Sequence, residues 1–192
     1  MKQKVKLQNM TGRLFSAALI FLALVTQLSV GQAATPTDRN LSYKLGVGDV
    51  IKVTVHSEDD LSISTRIDNS GVFSYPFLGE QQAVGLTVAE LEQRLIRGLK
   101  PDYLKNPQVQ VSVVQYRDFY INGEVRKPGG YAYTPGLTVQ KAAALAGGFT
   151  ERASTAKMFV LRENDRSQEK VRVNMETVIH PGDTLIIEEG LF

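Results

Sequence analysis

The stretch Gly85-Leu86-Thr87-Val88-Ala89-Glu90 carries the signature of a helix start. The Thr87 hydroxyl can accept a hydrogen bond from the Glu90 amide while the Glu90 carboxylate reaches back, which is the arrangement of a capping box. Apolar residues then recur at three- and four-residue spacing, at Val88, Leu91, Leu95 and Leu99. This spacing predicts a helix to about Leu99 with one face packed on a sheet.

Segments rich in β-branched residues flank this helix on both sides. Val50–Val55 and Ile63–Ile67 predict two strands, and the turn Asp68-Asn69-Ser70-Gly71 leads into a third at Val72–Tyr75. After the helix, residues 108–113 alternate strictly between polar residues and valine, which predicts a half-buried strand. The first half of the chain is therefore a small antiparallel sheet carrying one helix.

The same pattern restarts at Phe119. A strand runs into Gly123, a turn follows at residues 128–130, and Gly136-Leu137-Thr138-Val139 repeats the helix start at residues 85–88. A second helix with Val139, Ala142, Ala143 and Ala146 on one face ends at Gly147-Gly148. A hairpin within residues 157–173 and a strand at residues 184–187 complete this half. Two β-rich units, each with one packed helix, predict an α+β protein.

Composition bounds the possible partners. The 192 residues are 43% hydrophobic, enough to bury a core in one or two small domains. Four of the 22 basic residues lie within the first 13 positions, which leaves 18 basic against 20 acidic residues. Such a balance lacks the basic surface that nucleic-acid phosphates require, so nucleic acid is excluded as a partner.

The absence of cysteine removes several kinds of chemistry together. Disulfides, thiolate metal sites and cysteine nucleophiles are excluded. A bacterial lipoprotein carries its acyl chains on a cysteine, so we expect that this protein is not a lipoprotein. It would reach a membrane through protein contacts instead.

Residues 1–33 have the layout of a secretory signal peptide: a basic start, an apolar run from Leu14 to Val25, and small residues at Gly31 and Ala33. Cleavage after Ala33 would leave a polar, flexible lead-in at residues 34–40 and would place the protein in the periplasm. The alternative is a retained membrane anchor, because the apolar stretch from Leu14 to Val30 approaches the ~20 residues that span a bilayer.

Two fragments frame the rest of the chain: Tyr43-Lys44-Leu45-Gly46-Val47-Gly48-Asp49-Val50 near its start and Pro181-Gly182-Asp183-Thr184-Leu185 near its end. Between them lie Asp68-Asn69-Ser70-Gly71, Gly85-Leu86-Thr87, Asn106-Pro107-Gln108-Val109, Gly123-Glu124-Val125-Arg126-Lys127-Pro128-Gly129 and Ala146-Gly147-Gly148-Phe149. In this order the set resembles the polysaccharide biosynthesis and export family. The resemblance implies an export domain at residues 41–116 and a soluble-ligand-binding β-grasp domain at residues 117–192.

The glycines and aspartates of these fragments also have a local interpretation. We expect positive φ in tight turns at Gly46, Gly48, Gly129 and Gly182, and hydrogen bonds from neighbouring backbone amides to Asp49 and Asp183. A phosphate-binding loop at residues 46–48 would need a preceding strand and a following helix, and neither is predicted. The predicted structural turn residues are Gly46, Gly48, Asp49, Gly71, Gly123, Pro128, Gly129, Gly147, Gly148, Pro181, Gly182 and Asp183.

The resemblance implies a function in export of exopolysaccharide, capsule or biofilm polysaccharide. Copies would assemble as a ring that links an inner-membrane polysaccharide co-polymerase to an outer-membrane channel. Long relatives add further β-grasp repeats and a C-terminal amphipathic helix, whereas this sequence stops directly after its last predicted strand, so we expect the channel to be a separate protein. Two alternatives remain: a monomeric module that binds a sugar or a cobalamin-like ligand, and a polysaccharide-modifying enzyme.

The residues favour neither catalysis nor metal binding, and we expect no catalytic, cofactor or metal site. His56 and His180 are the only histidines, and they are not spaced as metal ligands. The carboxylates of Glu58-Asp59-Asp60 could form a glycosidase pair only if they were held at a fixed separation, which consecutive loop residues rarely achieve. A solvated acidic turn is the better interpretation.

Aromatic and basic side chains are the candidates for glycan or subunit contact. Aromatic faces with polar tips suit sugar stacking, although such residues at alternate strand positions also form cores and interfaces. The candidates are Tyr116, Arg117, Tyr120, Arg126, Lys127, Tyr131 and Tyr133.

Overall fold

The computed structural model describes residues 43–190, apart from Pro101, Asn164, Arg166 and Gln168. The predicted signal segment at residues 1–33 and the lead-in at residues 34–40 lie outside these described residues. The described part belongs to one compact unit. Within it are two separate hydrophobic cores, and we call the surrounding segments the first module (residues 43–116) and the second module (residues 117–190).

The first module is built on an antiparallel sheet of three strands in the order β2-β1-β5. A separate hairpin, β3-β4, and one helix, α1, complete it. The bounds are β1 Val50–Val55, a short 3₁₀ helix Asp59–Leu61, β2 Ile63–Arg66, β3 Val72–Tyr75, β4 Gly79–Gln82, α1 Val88–Leu99 and β5 Val109–Gln115. The central strand β1 alternates between buried and exposed residues along most of its length, as a sheet with one covered face requires.

Helix α1 covers this sheet. Its capping box is present, because the Glu90 amide donates to the Thr87 hydroxyl at 3.2 Å and the Thr87 amide donates to the Glu90 carboxylate at 2.7 Å. Leu91, Leu95 and Leu99 are fully buried in the first core, as their spacing predicts. The helix is therefore stabilised by the capping box at its start and by leucine packing along its length.

The second module is a mixed sheet of five strands in the order β7-β6-β10-β8-β9, with helix α2 packed on it. Strands β6 and β10 pair in parallel, and the other neighbours are antiparallel. The bounds are β6 Phe119–Gly123, β7 Gly129–Tyr131, α2 Val139–Leu145, β8 Ala153–Leu161, β9 Val171–Arg172 and β10 Thr184–Glu189. This β-grasp-like module and the first module together confirm the α+β prediction.

Helix α2 lies against its sheet through small side chains. Val139, Ala142, Ala143 and Ala146 are all buried, as predicted. Gly147 and Gly148 have φ near +81° and +89° and return their amides to the last turn of the helix. The alanine face lets the backbone approach the sheet more closely than leucine would.

Two local expectations differ from the structure. The turn predicted at residues 128–130 is shorter, because Gly129 and Gly130 already pair with β6 as part of β7. Strand β4 was not foreseen, because Gly79-Glu80-Gln81-Gln82 has no β-branched residue and no apolar alternation. It forms because Phe77 and Gly79 adopt positive φ and turn the chain back along β3. The division into domains at residue 116 stays a prediction.

Candidate functional site at the junction of the modules

The first module opens with a turn at residues 46–49, directly before its central strand. The Gly46 amide donates to Asp49 Oδ2 at 2.8 Å, and the Asp49 amide donates to the Gly46 carbonyl at 3.3 Å. Gly48 takes a φ of +89° at the third position, where a Cβ would be strained. The predicted hydrogen bond from a neighbouring amide to Asp49 is therefore present.

The second module repeats this construction at residues 180–183, before its own central strand β10. The His180 amide donates to Asp183 Oδ2 at 2.7 Å, and the Asp183 amide donates to the His180 carbonyl at 3.2 Å. Gly182 occupies the third position with a φ of +81°. We call these two segments the first and second aspartate turns.

Arg117, at the start of the second module, binds the first aspartate turn. Its amide donates to Asp49 Oδ1 at 2.8 Å, and its Nη1 lies 3.3 Å from Asp49 Oδ2 and donates to the Tyr43 hydroxyl at 2.7 Å. On the other side, Nε donates to Glu163 Oε2 at 2.6 Å. Arg117 is only 9% exposed and Asp49 is fully buried, so this ion pair is shielded from water.

The backbone at two glycines leaves room for this guanidinium. A Cβ on Gly46 would collide with Arg117 Nη1, and a Cβ on Gly182 would collide with Glu163 and lie 2.9 Å from Arg117 Nε. The expectation that Gly46 needs positive φ is wrong, because its φ is not positive. Gly46 is required for the close approach of a side chain from the other module.

The charges at this contact are balanced within the chain. Burial lowers the pKa of Arg117, but Tyr43, Asp49 and Glu163 outweigh it, so the pKa stands above its ordinary value. Burial, followed by the hydrogen bond to Asp49, raises the pKa of Tyr43 well above that of a free tyrosine. A buried ion pair is tolerated only when its remaining polar atoms are satisfied, and both partners here meet that condition.

Three tyrosines pack edge to face across the junction. The ring of Tyr116 lies 5.0 Å from that of Tyr43 and 5.4 Å from that of Tyr133. Burial raises the pKa of Tyr116 and of Tyr133, so both hydroxyls stay neutral at physiological pH. These edge-to-face contacts join a residue of the second module to two residues of the first.

A bulge in β5 directs the chain into this junction. Val50 pairs with Gln115 while Ile51 pairs with Val113, so Val114 is an extra residue. Such bulges bend a strand and re-aim the side chains beyond it. The residues that follow, Gln115 and Tyr116, line a cavity of about 290 Å³. Its other lining residues are Val47, Gly48, Arg66, Arg117, Asp118, Tyr120, Glu163 and Gly182.

The structure brings only some of the candidate contact residues together. Tyr116, Arg117 and Tyr120 line the cavity, and Tyr133 packs behind Tyr116. Tyr131 packs on Phe119 instead, and its hydroxyl donates to the Lys127 carbonyl at 2.5 Å. Arg126 and Lys127 are exposed on the loop before β7 and are not among the cavity residues.

Several residues of the junction were not predicted from the sequence. Glu163 lies 46 positions from Arg117, in a hairpin turn whose composition indicates only a loop. Tyr43 and Asp49 fall within one motif, at residues 43–50, which could have suggested that they act together, but their arginine lies 68 positions beyond Asp49. No local pattern connects residues so far apart.

The residues weighed for catalysis do not form a reactive group in the described part of the chain. Glu58, Asp59 and Asp60 are exposed at the 3₁₀ helix, and His56 is exposed beside them. His180 is 60% exposed, with its Nδ1 2.8 Å from Arg162 Nη1. Within residues 43–190, as far as they are described, no three His, Asp or Glu side chains are grouped to hold a metal ion.

The described chain is a protein of two α+β modules in series, and a buried arginine joins the modules. Its described residues form no reactive cluster. Residues 37–114 match the family described as polysaccharide biosynthesis/export protein, and residues 119–173 match the SLBB domain. The chain belongs to the polysaccharide biosynthesis/export family.

The chain is also similar to the exopolysaccharide production protein ExoF of Rhizobium meliloti (strain 1021). The two are 34% identical over 152 residues, which is 72% of this chain and 35% of that relative. This chain therefore spans about a third of the length of the curated relative it matches.

Membership of this family also indicates, in general terms, the kind of activity and the cellular location. Proteins of this family are in general not enzymes, and they are generally associated with the periplasm or the outer membrane. Across the residues whose structure is described, no helix has the length and apolar character needed to cross a bilayer.

Proposed function

We propose that this protein is a periplasmic component of an exopolysaccharide or capsule export machine. The observation that carries the proposal is the succession of an export region and an SLBB region, with Arg117 of the second module buried against Asp49 of the first. This contact favours a rigid building unit over two independent binding domains. A ring closes only if every copy presents its two contact patches at the same angle, which a rigid unit provides.

In the proposed machine, copies close into a ring between an inner-membrane polysaccharide co-polymerase and a separate outer-membrane channel. A ring needs two different, complementary patches on each copy. The exposed Arg126 and Lys127 are the first candidates for such a patch, because no ion pair occupies them within the described residues. Arg117 is unsuitable as a subunit contact because it is buried and paired within its own chain.

Deletion in the source bacterium tests the export role. Polymer should disappear from the cell surface and the medium, while the nucleotide-sugar and lipid-linked precursors are still made. Plasmid-borne wild-type protein should restore export, and so should the Glu58→Gln and His56→Ala variants if these residues are not catalytic. Normal surface polysaccharide in the deletion strain, with no second copy of the gene, would refute the proposal.

Solution mass tests the ring. Light scattering of the protein purified from the periplasm should give several times the ~17 kDa of one chain cleaved after Ala33. The double variant Arg126→Glu/Lys127→Glu should lower that mass and block export, because like charges would face each other at every repeated contact. The variant Lys52→Glu/Lys105→Glu, equal in charge and on the exposed surface of the first module, is the control.

The second candidate function is a monomeric periplasmic module that binds a carbohydrate or another small ligand. The cavity at the junction favours it, because its polar lining could receive such a ligand. A strict monomer at all concentrations and with its membrane partners, together with ligand binding, would favour this function over the ring.

A further inference from the structure

The cavity at the junction holds polar side chains whose hydrogen-bonding capacity the fold leaves wholly or partly unused. Within the described residues, the side chains of Gln115 and Asp118 make no hydrogen bond and no ion pair, although both line the cavity. Arg66, also in the lining, donates from Nη1 to the Gly48 carbonyl at 2.7 Å and has no acidic partner in the described chain. An amide, a carboxylate and a guanidinium therefore converge on one concave surface with bonding capacity to spare.

An aromatic platform lies beside these groups. Tyr120 lines the cavity, yet 50% of it is exposed. Its ring lies over Gly130 of the neighbouring strand β7, where an added Cβ would be 3.1 Å from Tyr120 Cε1. A half-exposed tyrosine ring that packs on one side against a strand offers an apolar face at little cost in side-chain entropy.

The charge of the cavity selects among possible ligands. The positive charge of Arg117 is already offset by Asp49 and Glu163, and the two remaining charged lining residues, Arg66 and Asp118, are opposite in sign and unpaired within the described residues. A phosphate or nucleotide would face one unpaired carboxylate for the one unpaired cation of the described lining, so the lining does not favour it. Vicinal hydroxyls suit it better, because planar amide, carboxylate and guanidinium groups can each make two parallel hydrogen bonds.

We propose that this cavity is a weak subsite for one neutral hexopyranose unit of the exported polysaccharide, stacked on Tyr120 and hydrogen-bonded by Gln115, Asp118 and Arg66. The inference rests on the proposed export function, which supplies the polymer. The volume of about 290 Å³ is at the lower end of the range for small-molecule sites and suits a single sugar ring.

The subsite binds weakly because its polar groups are exposed. They exchange hydrogen bonds to water for hydrogen bonds to the sugar, with little net gain in free energy. We expect a dissociation constant on the order of 1 mM or weaker for a short fragment. Weak binding serves export, because a polymer held tightly at each subunit could not move.

The test uses ¹⁵N-labelled protein purified from the periplasm and neutral oligosaccharide fragments prepared by mild acid hydrolysis of the source strain's own exopolysaccharide. We expect fragments to shift the Gln115 side-chain amide and backbone signals of residues 115–120 and 182. Shifts confined to other surfaces, or none at 20-fold excess over the ~1 mM expected, would overturn the subsite. Inorganic phosphate is the competing probe, and equal shifts by phosphate would indicate an anion site instead.

Variants separate stacking from general disturbance. Tyr120→Ala should weaken binding about fivefold to tenfold, whereas Tyr120→Phe should stay within about twofold of wild type. Gly130→Ala should weaken binding by displacing the ring, without touching the sugar. Tyr103→Ala, which removes an exposed tyrosine of the first module, is the matched control and should bind as wild type does. Unchanged binding by Tyr120→Ala would overturn the proposal.

A misfolded Tyr120 variant would be recognised by its amide spectrum, and Gln115→Ala/Asp118→Ala then tests the polar half of the site with the same expected loss. The two proposals also fail separately. Binding of fragments with normal export in the deletion strain would refute the export role alone, while loss of export without fragment binding would refute the subsite alone.

Discussion

The two aspartate turns share the same hydrogen-bond pattern and a glycine of positive φ at the third position, but their arginine partners differ. Asp49 is fully buried and binds Arg117, which comes from the other module and is 9% exposed. Asp183 binds Arg162, which comes from the same module and is 28% exposed. Arg162 also donates to the Val178 carbonyl at 3.2 Å, so both of these contacts of the second arginine lie within its own module.

The difference shows how one local device can serve two purposes. Both turns position a carboxylate before a central strand. Which parts of the protein the ion pair joins depends on the module that supplies the arginine. An arginine of the same module stabilises that module, whereas an arginine of the other module couples the two. The first aspartate turn should therefore matter more to the stability of the junction than the second.

Substituting the two aspartates gives the largest expected contrast. Asp49→Asn should lower the free energy of unfolding by about 3–5 kcal/mol, because it leaves a buried guanidinium with fewer charge partners. Asp183→Asn should cost about 1–3 kcal/mol, because its arginine is closer to solvent. Urea denaturation followed by circular dichroism measures both. Equal losses would contradict the distinction between the turns.

The two helices offer a contrast of packing. Leu91→Ala or Leu95→Ala should cost roughly 2–5 kcal/mol, because each leaves a cavity under α1. The alanine face of α2 should respond to enlargement instead, and Ala142→Leu should cost about 1–3 kcal/mol by forcing the helix from its sheet. Leucine variants as stable as wild type would show that the α1 face is not part of the core.

Gly46→Ala tests the close approach of the modules. It should cost about 1–3 kcal/mol by displacing the Arg117 guanidinium. A double-mutant cycle with Arg117→Ala gives the decisive measurement, since the cost of Gly46→Ala should largely vanish once the guanidinium is gone. Additive losses would mean that Gly46 is needed for its own backbone and not for Arg117.

Alkaline pH should weaken the junction through Tyr43. Its pKa in the folded protein is raised, first by burial and then by Asp49, above the value near 10 of an unfolded tyrosine. The stabilisation is therefore complete below about pH 10 and is lost as the pH rises through the folded pKa. Unfolding free energy should fall less steeply above pH 10 in Tyr43→Phe than in wild type. Identical slopes would place Tyr43 in water.

The helix caps give the smallest contrast. Thr87→Ala should cost about 1 kcal/mol, because it removes the hydroxyl of a complete capping box. Thr138→Ala should cost about 0.5 kcal/mol, because Thr138 accepts a longer bond, 3.4 Å from the Lys141 amide, and no acidic residue lies in the first turn of α2. Thermal unfolding resolves the two, and a larger loss at Thr138 would reverse this ranking.

Much of the fold was predictable because its signals are local. The leucine spacing of α1, the threonine before each helix and the glycines after α2 act over three or four residues, and each prediction is confirmed. The turn amides that bind Asp49 and Asp183, those of Gly46 and His180, are likewise only three residues away. The order of the motifs also sufficed to indicate the family.

Only the tertiary structure decided how the modules meet. The sequence by itself determined that a tight turn precedes each central strand, but not that Gly46 is small to admit Arg117 or that Glu163 completes the contact. These residues are brought together by the pairing of distant strands and by a bulge at Val114. Local periodicity reports which face of an element is buried, whereas the partner across a junction is set by the packing of the whole chain.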